Sequence, residues 1–173
     1  HYYVGMSGWT YEPWRGDFYP KGLRQADELT YASEHVSSIE LNGSFYSLQK
    51  PASWQKWRDS TPEGFVFAVK APRFITHIRR LDDVAEPVAN FFASGILALG
   101  AKLGPILWQL PPNLDFDPEL LETFLGLLPH TTGEAVTLAT KRGERMTGKE
   151  YIETDAHRQI RHALEVRNAS LDA

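Results

Sequence analysis

Cysteine is absent from this sequence of 173 residues. Its absence excludes disulfide bonds, a thiolate nucleophile and any metal site built on cysteine. A chain without cysteine suits a reducing compartment, and we expect a cytoplasmic location. The first residues show neither a charged segment nor a small-residue cleavage site, so the sequence predicts no export signal.

The sequence also has little excess charge and no long apolar run. A net charge of -4 at pH 7 and a pI near 5.9 give no general attraction to nucleic acid or to an anionic membrane. We therefore do not expect nucleic acid as a partner, and any anion binding must come from local clusters. The most apolar stretch, 91–101, is roughly half the ~20 residues that a membrane span needs, so we expect a buried helix and no membrane association.

Two phosphate-binding motifs are missing as well. No Gly-x-Gly-x-x-Gly turn follows the first predicted strand, and the sequence contains no P-loop. A glycine-punctuated aromatic loop occupies 7–20 instead. These absences argue against a dinucleotide-binding domain.

The chain contains a regular alternation of strand-like and helix-like segments. This order predicts a parallel sheet with right-handed crossovers, either doubly wound or closed into a barrel. The predicted strands cover 2–6, 36–42, 65–70, 105–110 and 162–167. The predicted helices between them cover 23–34, 51–59, 84–99 and 117–128.

The domain organisation follows from length and composition. With 173 residues, 42% of them hydrophobic, a single domain over 1–173 is expected. The segment 131–159 is more polar and its periodicity is weak. We interpret this segment as a solvated insertion.

The predicted strands share one unusual feature, because each of them finishes on polar side chains. A strand buried in a parallel sheet has no solvation reason to end this way, whereas in a TIM barrel the carboxyl ends of the strands form the rim that holds the substrate. The pattern therefore favours an α/β fold of the TIM-like parallel β/α barrel type, with a site at the rim. The polar residues are Ser7, Glu40, Asn42, Lys70, Gln109, Glu165 and Arg167.

Glu40 and Glu165 are the predicted catalytic carboxylates. Two carboxylates that face one cavity could act as general acid and base, or could bind a divalent metal as a cofactor. The structural alternative is a pair of salt bridges to Lys70 and Arg167. Burying such charges costs several kcal/mol unless they are paired, and a purely structural barrel interior would be apolar. We therefore favour a functional role.

Lys70, Arg73 and Arg167 form a predicted anion-binding group, since arginine can hold a phosphate or carboxylate through two hydrogen bonds. Lys70 is also a candidate catalytic residue. His77 is the only histidine near a predicted strand end and is the candidate proton shuttle. The alternatives are a solvated loop charge for Arg73 and a local hydrogen bond for His77.

Aromatic rings and neutral polar groups complete the predicted substrate-binding set. The rings could stack against a sugar face or a nucleobase, and the polar groups could bind a sugar hydroxyl or a base edge. The alternative for each ring is packing within the mouth of the barrel. The rings are those of Trp9, Tyr11 and Tyr46, and the polar groups are those of Ser7, Asn42 and Gln109.

Ordered motifs run along nearly the whole chain outside 131–159. They include Ser7-Gly8-Trp9, Glu40-x-Asn42-x-x-Phe45-Tyr46, Lys70-x-Pro-Arg73, Ile75-Thr76-His77, Gln109-Leu-Pro-Pro112 and Glu165-Val-Arg167. Together these motifs resemble the YecE-like family, known as domain of unknown function seventy-two. The resemblance implies a TIM-like barrel and supplies no reaction.

The resemblance also implies that this chain is the N-terminal part of the barrel. Family members are longer and supply further strands, whereas about five βα units are present here. Five strands of an eight-stranded barrel would leave two open edges. We therefore expect a continuation of the polypeptide, or another chain, to close the barrel. Asn168 stands where the family usually has a histidine.

The predicted function is that of an enzyme, a hydrolase, lyase or isomerase of the TIM-barrel type. Its substrate would be small and polar or anionic, such as a sugar phosphate or a nucleotide. The first alternative is a non-catalytic ligand-binding or scaffolding barrel. A weaker one is a nucleic-acid-processing protein that uses the aromatic loop with Arg73, Arg79 and Arg80. One-to-one pairing of Glu40 and Glu165 with Lys70 and Arg167 would favour a structural role.

Overall fold

Five parallel strands form the sheet of this α/β fold. The computed structural model describes residues 2–171, and within this range the strands are hydrogen-bonded in chain order. The predicted parallel sheet is therefore confirmed, while closure into a barrel stays a prediction. The strands are β1 Gly5–Ser7, β2 Ser38–Leu41, β3 Val66–Lys70, β4 Leu103–Gln109 and β5 His162–Glu165.

Helices connect the strands, as the alternation predicted. Across residues 2–171, no helix combines the length and the apolar character needed to cross a membrane. The α-helices are α1 Glu28–His35, α2 Gly43–Tyr46, α3 Pro51–Asp59, α4 Ala85–Ala93, α5 Pro118–Gly126 and α6 Thr132–Ala139. Short 3-10 helices cover Glu12–Trp14, Gln25–Asp27, Ile96–Lys102, Glu144–Met146 and Ala169–Leu171, and a π-helical turn covers Phe74–Ile78.

The sheet has a covered face and an open face. Successive side chains of a strand point to opposite faces, and Ile39, Phe67 and Trp108 are fully buried in the core. The Trp108 ring lies 5.1 Å from that of Phe124 on α5, so helices cover this face. Burial of each such side chain contributes about 1.5–3 kcal/mol. Glu40, between the buried residues of β2, is half-exposed on the open face.

Several predicted element boundaries differ from the structure, and two of them have a clear physical reason. Strand β1 begins at Gly5 rather than at residue 2, because pairing with β2 begins there. The helix predicted over 84–99 ends at Ala93, and a 3-10 helix follows from Ile96. The break lies at Gly95, whose φ is 116° and where a Cβ atom would lie 2.7 Å from the Cα atom of Pro51. Close contact with α3 therefore requires a turn that only glycine forms readily.

The segment 131–159, which we expect to be a solvated insertion, contains a helix, α6, that is buried along one face. The helix begins at a cap in which the Thr131 hydroxyl accepts a hydrogen bond from the Glu134 amide at 3.2 Å. Ala135 and Ala139 are fully buried, and Met146 beyond the helix is only 6% exposed. Two alanines four residues apart form a narrow buried stripe, which the polar average composition of the segment 131–159 does not reveal. That the segment is an insertion stays a prediction.

Candidate functional site

Parallel register brings the polar strand ends to one edge of the sheet. Ser7 pairs with Glu40 across β1 and β2, and Gln109 pairs with Glu165 across β4 and β5. Lys70, at the end of the central strand β3, pairs with Leu107 of β4. The carboxyl ends of five neighbouring strands therefore present their polar groups along the same rim.

A chain of hydrogen bonds links the first two strand ends. The Asn42 amide nitrogen donates to the Ser7 hydroxyl at 2.7 Å, and that hydroxyl donates to Glu40 Oε1 at 3.1 Å. No Lys, Arg or His nitrogen in residues 2–171 lies within 4.0 Å of the Glu40 carboxylate. Glu40 is thus a carboxylate with neutral partners, and its second oxygen has no hydrogen-bond donor in this part of the chain.

Glu165 has a different environment. The Gln109 amide donates to both of its oxygens at 3.1 and 3.0 Å, and Arg167 binds Oε1 at 2.6 Å. Burial is the largest influence and raises the pKa of Glu165, but the hydrogen bonds from Gln109 and Arg167 outweigh it, so the net pKa is lowered. Glu165 is therefore a carboxylate held ionised by its neighbours.

Lys70 lies at the end of the central strand and makes a cation–π contact. Its ammonium nitrogen lies 4.8 Å from the centre of the Phe45 ring. Across residues 2–171, no carboxylate oxygen lies within 4.0 Å of this nitrogen. The buried Ser44 hydroxyl contacts the carbonyl oxygens of Leu41 at 3.2 Å and Lys70 at 2.7 Å, which joins the ends of β2 and β3.

His77 lies in a helical turn rather than in the loop predicted at this position. The π-helical turn Phe74–Ile78 holds its ring edge-on against Phe45 at 5.2 Å, and Nδ1 lies 2.8 Å from the Thr76 hydroxyl. Burial lowers the pKa of His77, and the positive charges of Arg73, Lys70 and Arg167 lower it further. The three predicted cations therefore lie close enough to the His77 imidazole to disfavour its protonated form, and the ring stays neutral at pH 7.

The connection after His77 has an unusual backbone that sequence reasoning missed. Arg80, Leu81 and Asp83 have φ values of 53°, 67° and 50°, and such left-handed residues cost about 1–3 kcal/mol each when they are not glycine. Leu81 is buried, and the Arg80 guanidinium donates to Asn113 Oδ1 at 2.8 Å. No glycine marks this segment, so the sequence carries no signal for the turn.

The aromatic loop after β1 is fixed by its own hydrogen bonds. The Tyr11 hydroxyl donates to the Ser7 carbonyl oxygen, and the Tyr19 hydroxyl donates to the Trp9 carbonyl oxygen at 2.5 Å. Burial, reinforced by the charge of Glu28, raises the pKa of Tyr19 to about 12. Trp9 and Tyr11 therefore stay beside the polar rim as the sequence predicted.

Tyr46 was predicted as a site residue, but its side chain lies away from the polar rim. Its side chain is 71% exposed, and it lines a separate depression of about 190 Å³ with Pro72, Phe74 and Arg145. Its neighbour Phe45, which was not predicted as a site residue, contacts both Lys70 and His77. Of the two consecutive rings that end the short helix α2, the ring of Phe45 therefore contacts the charged groups.

The residues at this rim do not fit a divalent metal shared by Glu40 and Glu165. Both oxygens of Glu165 already accept hydrogen bonds from Gln109, and one also binds Arg167. In the part of the chain that the structure describes, no three His, Asp or Glu side chains form a group suited to a metal ion. Glu165 is better suited to its hydrogen bonds and ion pair, whereas Glu40 is also suited to proton transfer.

A family model described as "Protein of unknown function DUF72" matches residues 3–172. The chain belongs to the DUF72 family. The resemblance to YecE-like proteins is thereby confirmed, and UPF0759 protein YunF of Bacillus subtilis is 31% identical over 140 residues. UPF0759 protein YecE of Escherichia coli K12 is 29% identical over 135 residues. These alignments cover 76% of the DUF72 chain but only 47% and 45% of the two relatives, so the chain spans about half their length.

Solved structures of DUF72 proteins share this fold. A DUF72 family protein from Thermotoga maritima matches with a TM-score of 0.68 and 25% identity, over 99% of this chain and 57% of that protein. Another, from Enterococcus faecalis, matches with a TM-score of 0.55 and 17% identity, over 70% of this chain and 44% of that protein. Both matches support the α/β architecture.

Asn168 supports a loop beside the rim. Its amide nitrogen donates to the Pro112 carbonyl oxygen at 2.9 Å and to Asp115 Oδ1 at 3.1 Å. Its Oδ1 accepts hydrogen bonds from the Ser170 amide at 2.9 Å and hydroxyl at 2.7 Å. All its side-chain polar atoms are therefore engaged in holding the chain around the end of β4.

Proposed function

We propose that this DUF72 chain is the N-terminal part of a TIM-like β/α barrel enzyme that binds a small anionic substrate at the carboxyl ends of its strands. The observation that carries the proposal is the pair Glu40 and Lys70. They lie on the open face of adjacent strands, and neither has an ion-pair partner within residues 2–171. Unpaired charges on a sheet are costly unless they serve a ligand.

Three basic residues form the proposed binding site for the anionic group of the substrate. Lys70, Arg73 and Arg167 all lie close enough to lower the pKa of His77. Only Arg167 among them pairs with a carboxylate inside 2–171, and that carboxylate is Glu165. The group therefore keeps a net positive charge, which suits a phosphate or carboxylate on the substrate.

Glu40 is the proposed acid–base group. A carboxylate with a neutral hydrogen-bond partner can take a proton from the substrate, or from a water molecule that attacks it, and become a carboxylic acid. The Ser7 hydroxyl, itself fixed by Asn42, orients the carboxylate. Gln109 binds Glu165, so we assign Gln109 the role of positioning that carboxylate. We also propose a cytoplasmic setting, from the absence of cysteine.

The second candidate is a non-catalytic ligand-binding barrel. The ion pair of Glu165 with Arg167 favours it, because this pairing leaves Glu40 as the single predicted carboxylate without a cation in residues 2–171. A binding protein and an enzyme would share the anion site and differ only in turnover. Incubation of the full-length protein with ribose 5-phosphate, followed by proton NMR, separates them.

The anion site is tested by calorimetric titration of the full-length protein with inorganic phosphate. Lys70→Met should weaken binding at least about tenfold, since a hydrogen bond to a charged group contributes about 1.5–3 kcal/mol. Lys149→Met removes an exposed lysine of another region and is the matched control. Equal phosphate affinity in the Lys70→Met variant and in the unmodified protein would overturn the proposal.

A further inference from the structure

A pocket of about 300 Å³ opens beside the hydrogen-bonded residues of the first two strand ends. Its size lies at the lower end of the range of small-molecule sites. Three aromatic side chains make its wall largely apolar, with an amide and a hydroxyl among them. The side chains that line it are those of Trp9, Thr10, Tyr11, Asn42 and Trp57.

The wall of the pocket is formed before any ligand binds. Trp9 lies against Trp57 of α3 with ring centres 6.1 Å apart at 77°. The Tyr19 hydroxyl holds the Trp9 carbonyl oxygen, and the loop is tied to α1 by the ion pair of Arg15 with the fully buried Glu28 at 2.7 Å. A rigid wall avoids the entropic cost of ordering side chains when a ligand binds.

Asn42 connects this pocket to the proposed acid–base group. Its amide nitrogen donates to Ser7, which in turn donates to Glu40. Its amide oxygen accepts no hydrogen bond from residues 2–171, and the residue lines the pocket. The same side chain can therefore bind a ligand hydroxyl and hold the serine that orients Glu40.

The pocket also lies next to the proposed anion site. Leu41 pairs with Val69 across β2 and β3, so the following residues, Asn42 and Lys70, leave the sheet side by side. Neighbouring strands are about 4.8 Å apart. A ligand with a ring in the pocket can thus place an attached anionic group near Lys70.

We infer that this pocket is a subsite for the sugar ring of a phosphorylated sugar. A sugar has an apolar face for Trp9 and Trp57 and hydroxyl groups for Asn42 and Thr10, which matches the mixture of apolar and polar groups in the wall. The anionic half of this ligand rests on the proposed function, whereas the ring-binding half depends only on the pocket. Trp57 and Thr10 enter the site although the sequence patterns did not identify them.

The test uses the full-length protein and calorimetric titration with methyl β-ribofuranoside, inorganic phosphate and ribose 5-phosphate. Trp9→Leu should weaken binding of both sugars about tenfold and leave phosphate binding unchanged, because loss of ring packing acts only on the sugar. Tyr2→Ala is the control, since Tyr2 is a 97% exposed aromatic residue before β1. Unchanged binding of both sugars to Trp9→Leu would overturn the subsite.

The two proposals fail in different ways. If Lys70→Met leaves phosphate affinity intact while Trp9→Leu weakens the neutral ribofuranoside, the anion site is wrong and the sugar subsite stands. If Trp9→Leu weakens the binding of adenosine 5′-monophosphate and leaves the binding of ribose 5-phosphate unchanged, the pocket binds a base and the inference is wrong.

Should the Trp9→Leu variant not fold, the Thr10→Val variant is used for the test. It keeps the shape of an exposed side chain and should weaken sugar binding about fivefold through one lost hydrogen bond.

Discussion

The two carboxylates at the rim, Glu40 and Glu165, have the same chemistry and opposite surroundings. Glu40 accepts a hydrogen bond from the neutral Ser7, whereas Glu165 is surrounded by an amide and a guanidinium. Polar strand ends of one sheet can therefore hold carboxylates in quite different environments. The partner decides whether the carboxylate is available for proton transfer or fixed as a charged anchor.

The strongest effect that distinguishes the two carboxylates is expected at Glu165. Replacing Arg167 by Met removes the cation that pairs with Glu165, so the pKa of Glu165 should rise. Carbon-13 NMR titration of the glutamate carboxyl groups measures the change. Lys70→Met, which removes a charge without a direct contact, should raise the pKa less. An unchanged pKa in Arg167→Met would mean that the two carboxylates are not distinguished by this ion pair.

A smaller effect is expected at Glu40. Ser7→Ala removes the donor to Glu40 Oε1 and the acceptor for Asn42, so the free energy of unfolding should fall by about 1 kcal/mol. Urea denaturation at pH 7 measures it. Ser47→Ala, at a serine that lines the separate depression with Tyr46, is the control. If both variants are equally stable, the hydrogen-bonded chain contributes nothing measurable.

The smallest effect is the contribution of His77, which lies near the cations of the rim, to the pH dependence of the free energy of unfolding. Its pKa is lowered in the folded state, so below about pH 6.5 the unfolded chain binds a proton that the folded chain does not. The free energy of unfolding should therefore decrease as the pH falls below about 6.5. His77→Gln should remove this part of the pH dependence from denaturation curves measured between pH 7 and pH 5. A pH profile unchanged by the substitution would contradict a lowered pKa.

Much of the fold follows from the sequence because its signals are local. The alternation of Ile39 and Leu41 with Ser38 and Glu40 predicted the two faces of β2, and both apolar residues are fully buried. The polar ending of each strand predicted which groups would lie along one edge. Parallel register supplied the rest, since it aligns Ser7 with Glu40.

The remaining features depend on contacts between distant segments, which local patterns do not encode. The alanine stripe of α6, at Ala135 and Ala139, becomes a core surface only through packing with α4. Trp57 becomes a pocket wall only because the loop after β1 places Trp9 against it. A possible signal was present, because Trp54 and Trp57 lie three residues apart on α3, one fully buried and one at the surface.

The buried hydroxyl of Ser44 joins the main chains at the ends of two neighbouring strands. By contacting the last carbonyl oxygens of both β2 and β3, it fixes the separation between the backbones that carry Glu40 and Lys70. The side chains of Glu40 and Lys70 therefore extend from two main-chain segments that one buried serine holds side by side. Under the proposed function, this spacing limits the size of a ligand that contacts both charged groups.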